Sequence, residues 1–315
     1  MGRSLSIVVP VYNEAGNVEE LYRQIASVVA EQGYDADIVL VDDASTDGSA
    51  EVLDRLARAH GEAKVIHLAR NYGQTAALMA GLDHSTAAVV VAIDGDLQND
   101  PADIPRLLAK LEQGFDVVSG WRRARREGLA RTLPSRLANW LIARTTGVRL
   151  HDFGCTLKAY RRDVLGDVRL YGEMHRFIPV YAAWAGGRIA ELEVSHRPRR
   201  AGASKYGLGR TGRVLLDLVV VLFLHRALDR PVQFFGRIGL WSFGLGILAG
   251  AYALYLKVVE DVSFILTPLP LLISLLWLTG LLCVLLGVVA EMLTRIYFES
   301  RNSPFYRIRS TLNLE

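Results

Sequence analysis

AAVVVAIDGDLQNDP, residues 87–101, carries seven apolar residues that run without a break into two carboxylates separated by a glycine. A short, continuous, β-branched run of this kind reads as a strand buried on both faces. Loops carry D-x-D triplets by chance, so the triplet alone decides little. Its position decides more, because parallel sheets bind ligands at the carboxyl ends of their strands. Asp94 and Asp96, on either side of Gly95, could both face one divalent cation. Such a cation neutralises a diphosphate and stabilises it as a leaving group. Gln98 could add an oxygen ligand.

Upstream, the same alternation repeats. Leu5 to Val11 is a buried strand, and Asp37 to Val41 is a second, closed by Asp42 and Asp43. Lys64 to Leu68 is a third. Between them, Val18, Leu21, Ile25 and Val28 recur at helical spacing over residues 17–30. Ser45-Thr46-Asp47 can cap a helix that carries Val52, Leu53 and Leu56, and Gln74 to His84 predicts another. Strands alternating with helices imply a mostly parallel α/β sheet with helices on both faces. Asp43 at such a strand end could accept hydrogen bonds from a nucleobase N–H or a ribose hydroxyl; Asp42 reads equally well as a loop cap. Asp43, Ser45, Asp47, Gly48 and Asp54 roughly imitate a calcium loop, but a strand precedes them where an EF-hand needs a helix.

Residues 101–200 are less regular. Pro101 to Glu112 reads as a helix, Asp116 to Gly120 as a short strand, and Leu137 to Thr145 as an amphipathic helix. Six arginines lie between Arg122 and Arg136, opposed only by Glu127. They read as a solvated surface or, beside a membrane segment, as a site for a lipid phosphate. Asp152, in HDFGCTLKAYRR, could be a base, a sugar ligand or a structural carboxylate. His175 and Arg176 precede an apolar stretch. Arg199, Arg200, Lys205 and Tyr206 form a basic segment that could close over a diphosphate. Gly207-x-Gly209-x-x-Gly212 matches a dinucleotide fingerprint in letters only, with no strand before it.

The apolar residues concentrate toward the C-terminus. Arg237 and Lys257 bracket 19 uncharged residues, and Asp261 and Glu291 bracket 29 more. A spanning helix needs roughly 20 apolar residues, so these predict a transmembrane hairpin at about residues 237–257 and 265–291. Val214 to Leu224, interrupted by Asp217, reads as an interfacial helix. Arg295, Arg301, Arg307 and Arg309 follow the hairpin, whereas its loop has Lys257 against Glu260 and Asp261. Positive-inside counting puts that tail and the N-terminal domain in the cytoplasm, in a multi-pass inner-membrane protein. The opening MGRSLSIVVP reads as a strand and not as a signal peptide, since its apolar run stops at Pro10. Two cysteines give no disulfide framework, and a net charge of +3 gives no nucleic-acid-type field. The expected boundaries are 1–207 catalytic, 208–232 interfacial, 233–294 hairpin and 295–315 basic tail.

VVPVYNE (Val8 to Glu14), VDDASTDGS (Val41 to Ser49) and IDGDLQNDP (Ile93 to Pro101) resemble, in order and spacing, the signature of family 2 glycosyltransferases with a GT-A fold. RNYGQTAALMAGL (Arg70 to Leu82), DFGCTLKAYRR (Asp152 to Arg162) and RPRRAGASKY (Arg197 to Tyr206) are similar to the polyprenyl-phosphate glycosyltransferases within it, the undecaprenyl-phosphate aminoarabinose transferases above all. The resemblance implies an inverting, metal-dependent transfer of a sugar from a nucleotide donor to undecaprenyl phosphate, in a homo-oligomer such as a tetramer. It implies that Pro10, Tyr12, Glu14, Val41 and Asp43 line the nucleotide pocket. Asp94, Gly95, Asp96 and Gln98 would meet the donor diphosphate with Mg²⁺ or Mn²⁺, and Arg199 and Lys205 would hold phosphates. Arg122, Arg131 and Ser135 would hold the acceptor phosphate, with Asp152 and Asp96 catalytic. Gly95 stands where many members carry alanine, a difference expected to be harmless. Two other readings compete. A processive polysaccharide synthase would show a Q-x-x-R-W motif and more spans. A non-catalytic membrane scaffold would not keep Asp94, Asp96, Gln98 and Lys205 together.

Overall fold

The computed structural model describes residues 4–123, 139–140, 142–165, 174–197, 231–299 and 305–314. Two compact units divide the chain: Met1–Leu218 with Pro304–Glu315, and Val219–Ser303.

Among the described residues, the first unit is built on one eight-stranded sheet. Its first half follows the predicted alternation: β1 (Ser4–Val11), α1 (Val18–Gln32), β2 (Asp35–Asp42), α2 (Ser49–Ala59), β3 (Ala63–Leu68), α3 (Gln74–Asp83) and β4 (Val89–Ala92). β1 pairs in parallel with β2 and β4, and β2 with β3. Ile7, Val8, Val9, Ile38, Leu40, Val41, Val90 and Val91 are all buried, as continuous apolar strands under two helical layers must be. Burying each such side chain contributes about 1.5–3 kcal/mol. α3 is buried from Thr75 to Leu82 and shows no polar face. It lies so close to the sheet that a Cβ on Gly81 would sit 2.3 Å from Val8 Cγ1.

The second half departs from simple alternation. α4 (Ile104–Glu112) and β5 (Val117–Trp121) fall where the sequence puts them. Next come β6 (Lys158–Arg161), α5 (Arg162–Leu165), α6 (Ile178–Trp184) and β7 (Ile189–Glu193). β6 inserts antiparallel between β4 and β5, while β7 joins β5 in parallel. The sheet order is therefore β7-β5-β6-β4-β1-β2-β3, and one further strand closes it. That strand, β8 (Ile308–Leu312), pairs antiparallel with β3. Residues 295–315, a basic tail by sequence, thus contribute a strand to the sheet.

The second unit holds α7 (Pro231–Val259) and α8 (Leu269–Glu299). Pro231–Val259 and Leu269–Leu293 are long and apolar enough to cross a bilayer, with most of their large side chains exposed. They pack as an antiparallel pair with small residues at the contact. A Cβ on Gly239 would lie 2.9 Å from the Gly280 carbonyl oxygen, and Ser242 Oγ donates to the Leu276 carbonyl at 2.6 Å. The proposed interfacial helix, residues 214–224, lies outside the described residues.

Candidate active site

The sheet brings the motifs together. β1, β2 and β4 point their carboxyl ends the same way, and β6, running opposite, starts at that edge. Lys158 consequently stands beside Ala92 and Ser119 in register. Pro10, Gln74, Asp94, Thr156, Lys158 and His175 line one pocket there.

The two nucleotide-pocket motifs are tied to each other. Asn13, in the left-handed region at φ 53°, donates its backbone N–H to Ser45 Oγ at 3.0 Å, and its Oδ1 accepts Thr46 N–H at 2.7 Å. Glu14 N–H donates to Ser49 Oγ at 2.9 Å and Ala15 N–H to Asp47 at 3.1 Å. The Glu14 carboxylate is buried and accepts from Asn17 Nδ2 at 2.7 Å. The β1 and β2 exit loops thus form one piece.

Asp43 is buried, and its two oxygens accept the backbone N–H groups of Tyr72 and Gly73 at 2.7 and 2.8 Å. Gly73 has φ 93°, which admits little but glycine. Burial pushes the Asp43 carboxyl up, against the pull of those two hydrogen bonds. Each oxygen keeps a second lone pair for a ligand, but the carboxylate also anchors the loop before α3. Val41 is fully buried, its Cγ2 beneath Gly81. Pro10 and Tyr12 are half-buried at the end of β1. Asp42 is a brace rather than a helix cap: it accepts Ser45 N–H at 2.9 Å and contacts His67 Nδ1 at 2.9 Å.

Asp94 and Asp96 follow β4 on a loop turned by Leu97 at φ 60°. Gln74 Nε2 donates to Asp94 Oδ1 at 2.6 Å, and Gln98 N–H to Asp96 Oδ1 at 3.2 Å. Among the described residues, no group of three or more His, Cys, Asp or Glu side chains could hold a metal ion. Two carboxylates and an amide fit a hard divalent cation that takes its other ligands from a diphosphate and water. A Cβ on Gly95 would lie 3.2 Å from the Pro10 carbonyl oxygen, so alanine there needs a small backbone shift. The loop also receives the chain that leads to the basic segment: Asn99 bridges His196, and Arg197 N–H donates to the Gln98 carbonyl at 2.8 Å.

Arg122, just past β5, and Asp152 form a buried two-pronged ion pair, Nε to Oδ2 at 2.7 Å and an Nη to Oδ1 at 3.1 Å. Gly154 N–H also donates to Oδ1, at 3.1 Å. Burial alone would lower the Arg122 pKa, but Asp152 raises it, so the guanidinium stays charged. The sequence suggests separate roles for Arg122 and Asp152; the structure makes them partners. Lys158 is fully buried and donates to the Phe153 carbonyl at 3.3 Å and to the Cys155 carbonyl. Desolvation lowers its pKa to about 8. Thr75 Oγ1 lies 2.7 Å from His175 Nδ1. Gln74 and Lys158 have no spacing of their own that marks them in the sequence; only the antiparallel insertion of β6 turns Lys158 toward the pocket. Arg131, Ser135, Arg199 and Lys205 lie outside the described residues.

This edge of the sheet is that of a GT-A transferase. The chain belongs to the family described as Glycosyl transferase family 2, which matches residues 6–169. It is 42% identical over 97% of its length to dodecaprenyl-phosphate galacturonate synthase of Rhizobium johnstonii, of which it covers 92%. It is 36% identical over 96% of its length to undecaprenyl-phosphate 4-deoxy-4-formamido-L-arabinose transferase of Pseudomonas aeruginosa, covering 89% of that protein. Its fold is similar to that of glucosyl-3-phosphoglycerate synthase from Mycobacterium tuberculosis, solved with Mn²⁺, UDP and its product (TM-score 0.55, 22% identity, 70% of this chain and 79% of that one).

Proposed function

We propose that this protein transfers a glycosyl group from a nucleotide-sugar donor to a polyprenyl phosphate, with inversion, at the cytoplasmic face of the inner membrane. The observation that carries the reading is similarity along nearly the whole chain to transferases that name a polyprenyl phosphate, in a protein with two bilayer-length apolar helices among its described residues. The geometry supports it. The stapled loops of β1 and β2 offer a nucleotide pocket, and Asp94, Asp96 and Gln98 would hold Mg²⁺ or Mn²⁺. When bound, the ion neutralises the diphosphate leaving group.

The chain's own residues do the rest by positioning. A phosphate monoester has a second pKa near 6 and arrives largely as a dianion at neutral pH, so it needs little deprotonation. Asp152, with both oxygens engaged, orients Arg122. Arg122 keeps N–H groups free of that pair for the acceptor phosphate. Lys158 fixes the turn that carries Asp152. Arg131, Ser135, Arg199 and Lys205 would complete the anion contacts.

A screen of nucleotide-sugar donors against undecaprenyl phosphate with Mg²⁺ or Mn²⁺, read by the mass of the lipid product, tests the reading. A glycosylated lipid phosphate is the expected result. Donor hydrolysis with no lipid product for any donor would refute it.

A further inference from the structure

One buried titratable cluster plays no part in the chemistry above. His67, on β3, is 7% exposed. Its Nδ1 lies 2.9 Å from Asp42 Oδ2 and its Nε2 lies 3.0 Å from Asp54 Oδ1. A neutral imidazole has one N–H and one lone pair, so it can satisfy only one carboxylate. Two carboxylates at hydrogen-bond distance need an imidazolium. The groups that face it agree: Asp42 comes from β2 and Asp54 from α2, Arg58 stands behind Asp54 at 3.8 Å, and β8 sets the uncharged Ser310 opposite. Both carboxylates hold the His67 pKa above its usual value, Asp42 more than Asp54.

Asp42 carries the charge onward. Its Oδ1 accepts Ser45 N–H at 2.9 Å, and Ser45 Oγ accepts Asn13 N–H at 3.0 Å. These are the bonds that staple the β2 exit loop to the β1 exit loop.

We infer that His67 is a positioning residue for the nucleotide: its imidazolium, gripped by Asp42 and Asp54, holds the loops of residues 12–17 and 43–49 in donor-binding shape, and donor affinity falls when the proton leaves. This rests on the reading of those loops as the nucleotide pocket. The sign follows from the geometry. The folded protein holds the proton more tightly than a free histidine, whose pKa is about 6.5. The clamp is therefore whole below that pH and is lost as pH rises through the higher folded value. The neutral ring keeps one N–H, so only one of the two carboxylates stays bonded, and the Asp42–His67–Asp54 bridge between β2 and α2 opens.

The experiment is calorimetric titration of the full-length protein in detergent with UDP and Mg²⁺, between about pH 6.5 and 9. UDP affinity of the wild type should fall on the order of tenfold over the alkaline limb, the loss of one charge-assisted hydrogen bond. His67→Gln should bind UDP weakly and show no such limb. Asp54→Asn should keep the fold and move the limb to lower pH. Superimposable pH profiles for wild type and H67Q would overturn the inference. So would a ¹⁵N-histidine spectrum in which His67 is a neutral imidazole at pH 7. If neither UDP nor, in its place, GDP, CDP or dTDP binds at any pH, the nucleotide reading is overturned instead, and the same spectrum separates that failure from a failure of the clamp.

Discussion

Asp152 shows how a residue's role depends on its partners. As a lone carboxylate it would suit a base; gripped by Arg122 and by Gly154 N–H, it suits orientation. Asp152→Asn should therefore lower kcat while leaving the pH–rate profile in place, whereas loss of an acidic limb would make it the base. Arg122→Met strands a buried carboxylate and should cost about 3–5 kcal/mol in an unfolding titration. Asp96→Ala should abolish metal-dependent donor turnover, and retained turnover would remove Asp96 from the metal site. Lys158 gives a signed pH effect. Its folded pKa, about 8, is below the ordinary 10.5, so the unfolded chain binds more protons between those values. Its burial penalty is full at neutral pH and fades as pH rises through that window. Melting wild type and Lys158→Met side by side should show the gap between them shifting in favour of wild type from pH 8 upward. Asp94, Asp96 and Asp43 were legible because each ends an apolar run. Lys158 was not, because its placement is a matter of strand direction.

Elements differ in how much of themselves they announce. β1, β2 and β4 are near-continuous apolar runs buried on both faces, and their sequences say so. β6 and β7 are short, with polar residues at intervals, and they depend on neighbours far away in the chain: β6 is defined by β4 and β5, β7 by β5. β8 is shorter still in apolar content, and only its pairing with β3 makes it a strand. What fixes it is side-chain chemistry beyond the strand. Asn313, in the left-handed region at φ 57°, donates from Nδ2 to the carbonyls of Ala57 at 2.6 Å and Ala63 at 2.9 Å, and Tyr306 OH donates to Asp83 at 2.8 Å. Asn313→Ala leaves those carbonyls short of a donor and should lower stability by about 1–2 kcal/mol, visible as a lower Tm.

At the scale of the whole molecule, chain order and membrane topology constrain each other. β3 precedes α7 and α8, β8 follows them, and the two strands share one sheet. If the apolar helices cross the bilayer, they must cross it an even number of times, because both strands lie on one side. A hairpin satisfies this, and in the proposed topology the arginine-rich flank would put that side in the cytoplasm. In intact cells, a cysteine at Ser263, between the two helices, should react with a membrane-impermeant thiol reagent, and one at Thr311 should not. The reverse pattern would invert the proposed orientation.

The closing strand also sets a schedule. A ribosome releases β1 to β7 well before it has made the hairpin, so during that interval the sheet has an open edge at β3. Unpaired edges invite wrong partners. In the proposed topology a chain with one helix inserted and the other not would leave β8 across the bilayer from β3, and that edge would stay open. Sealing of the sheet would thus distinguish a complete hairpin from a half-inserted one.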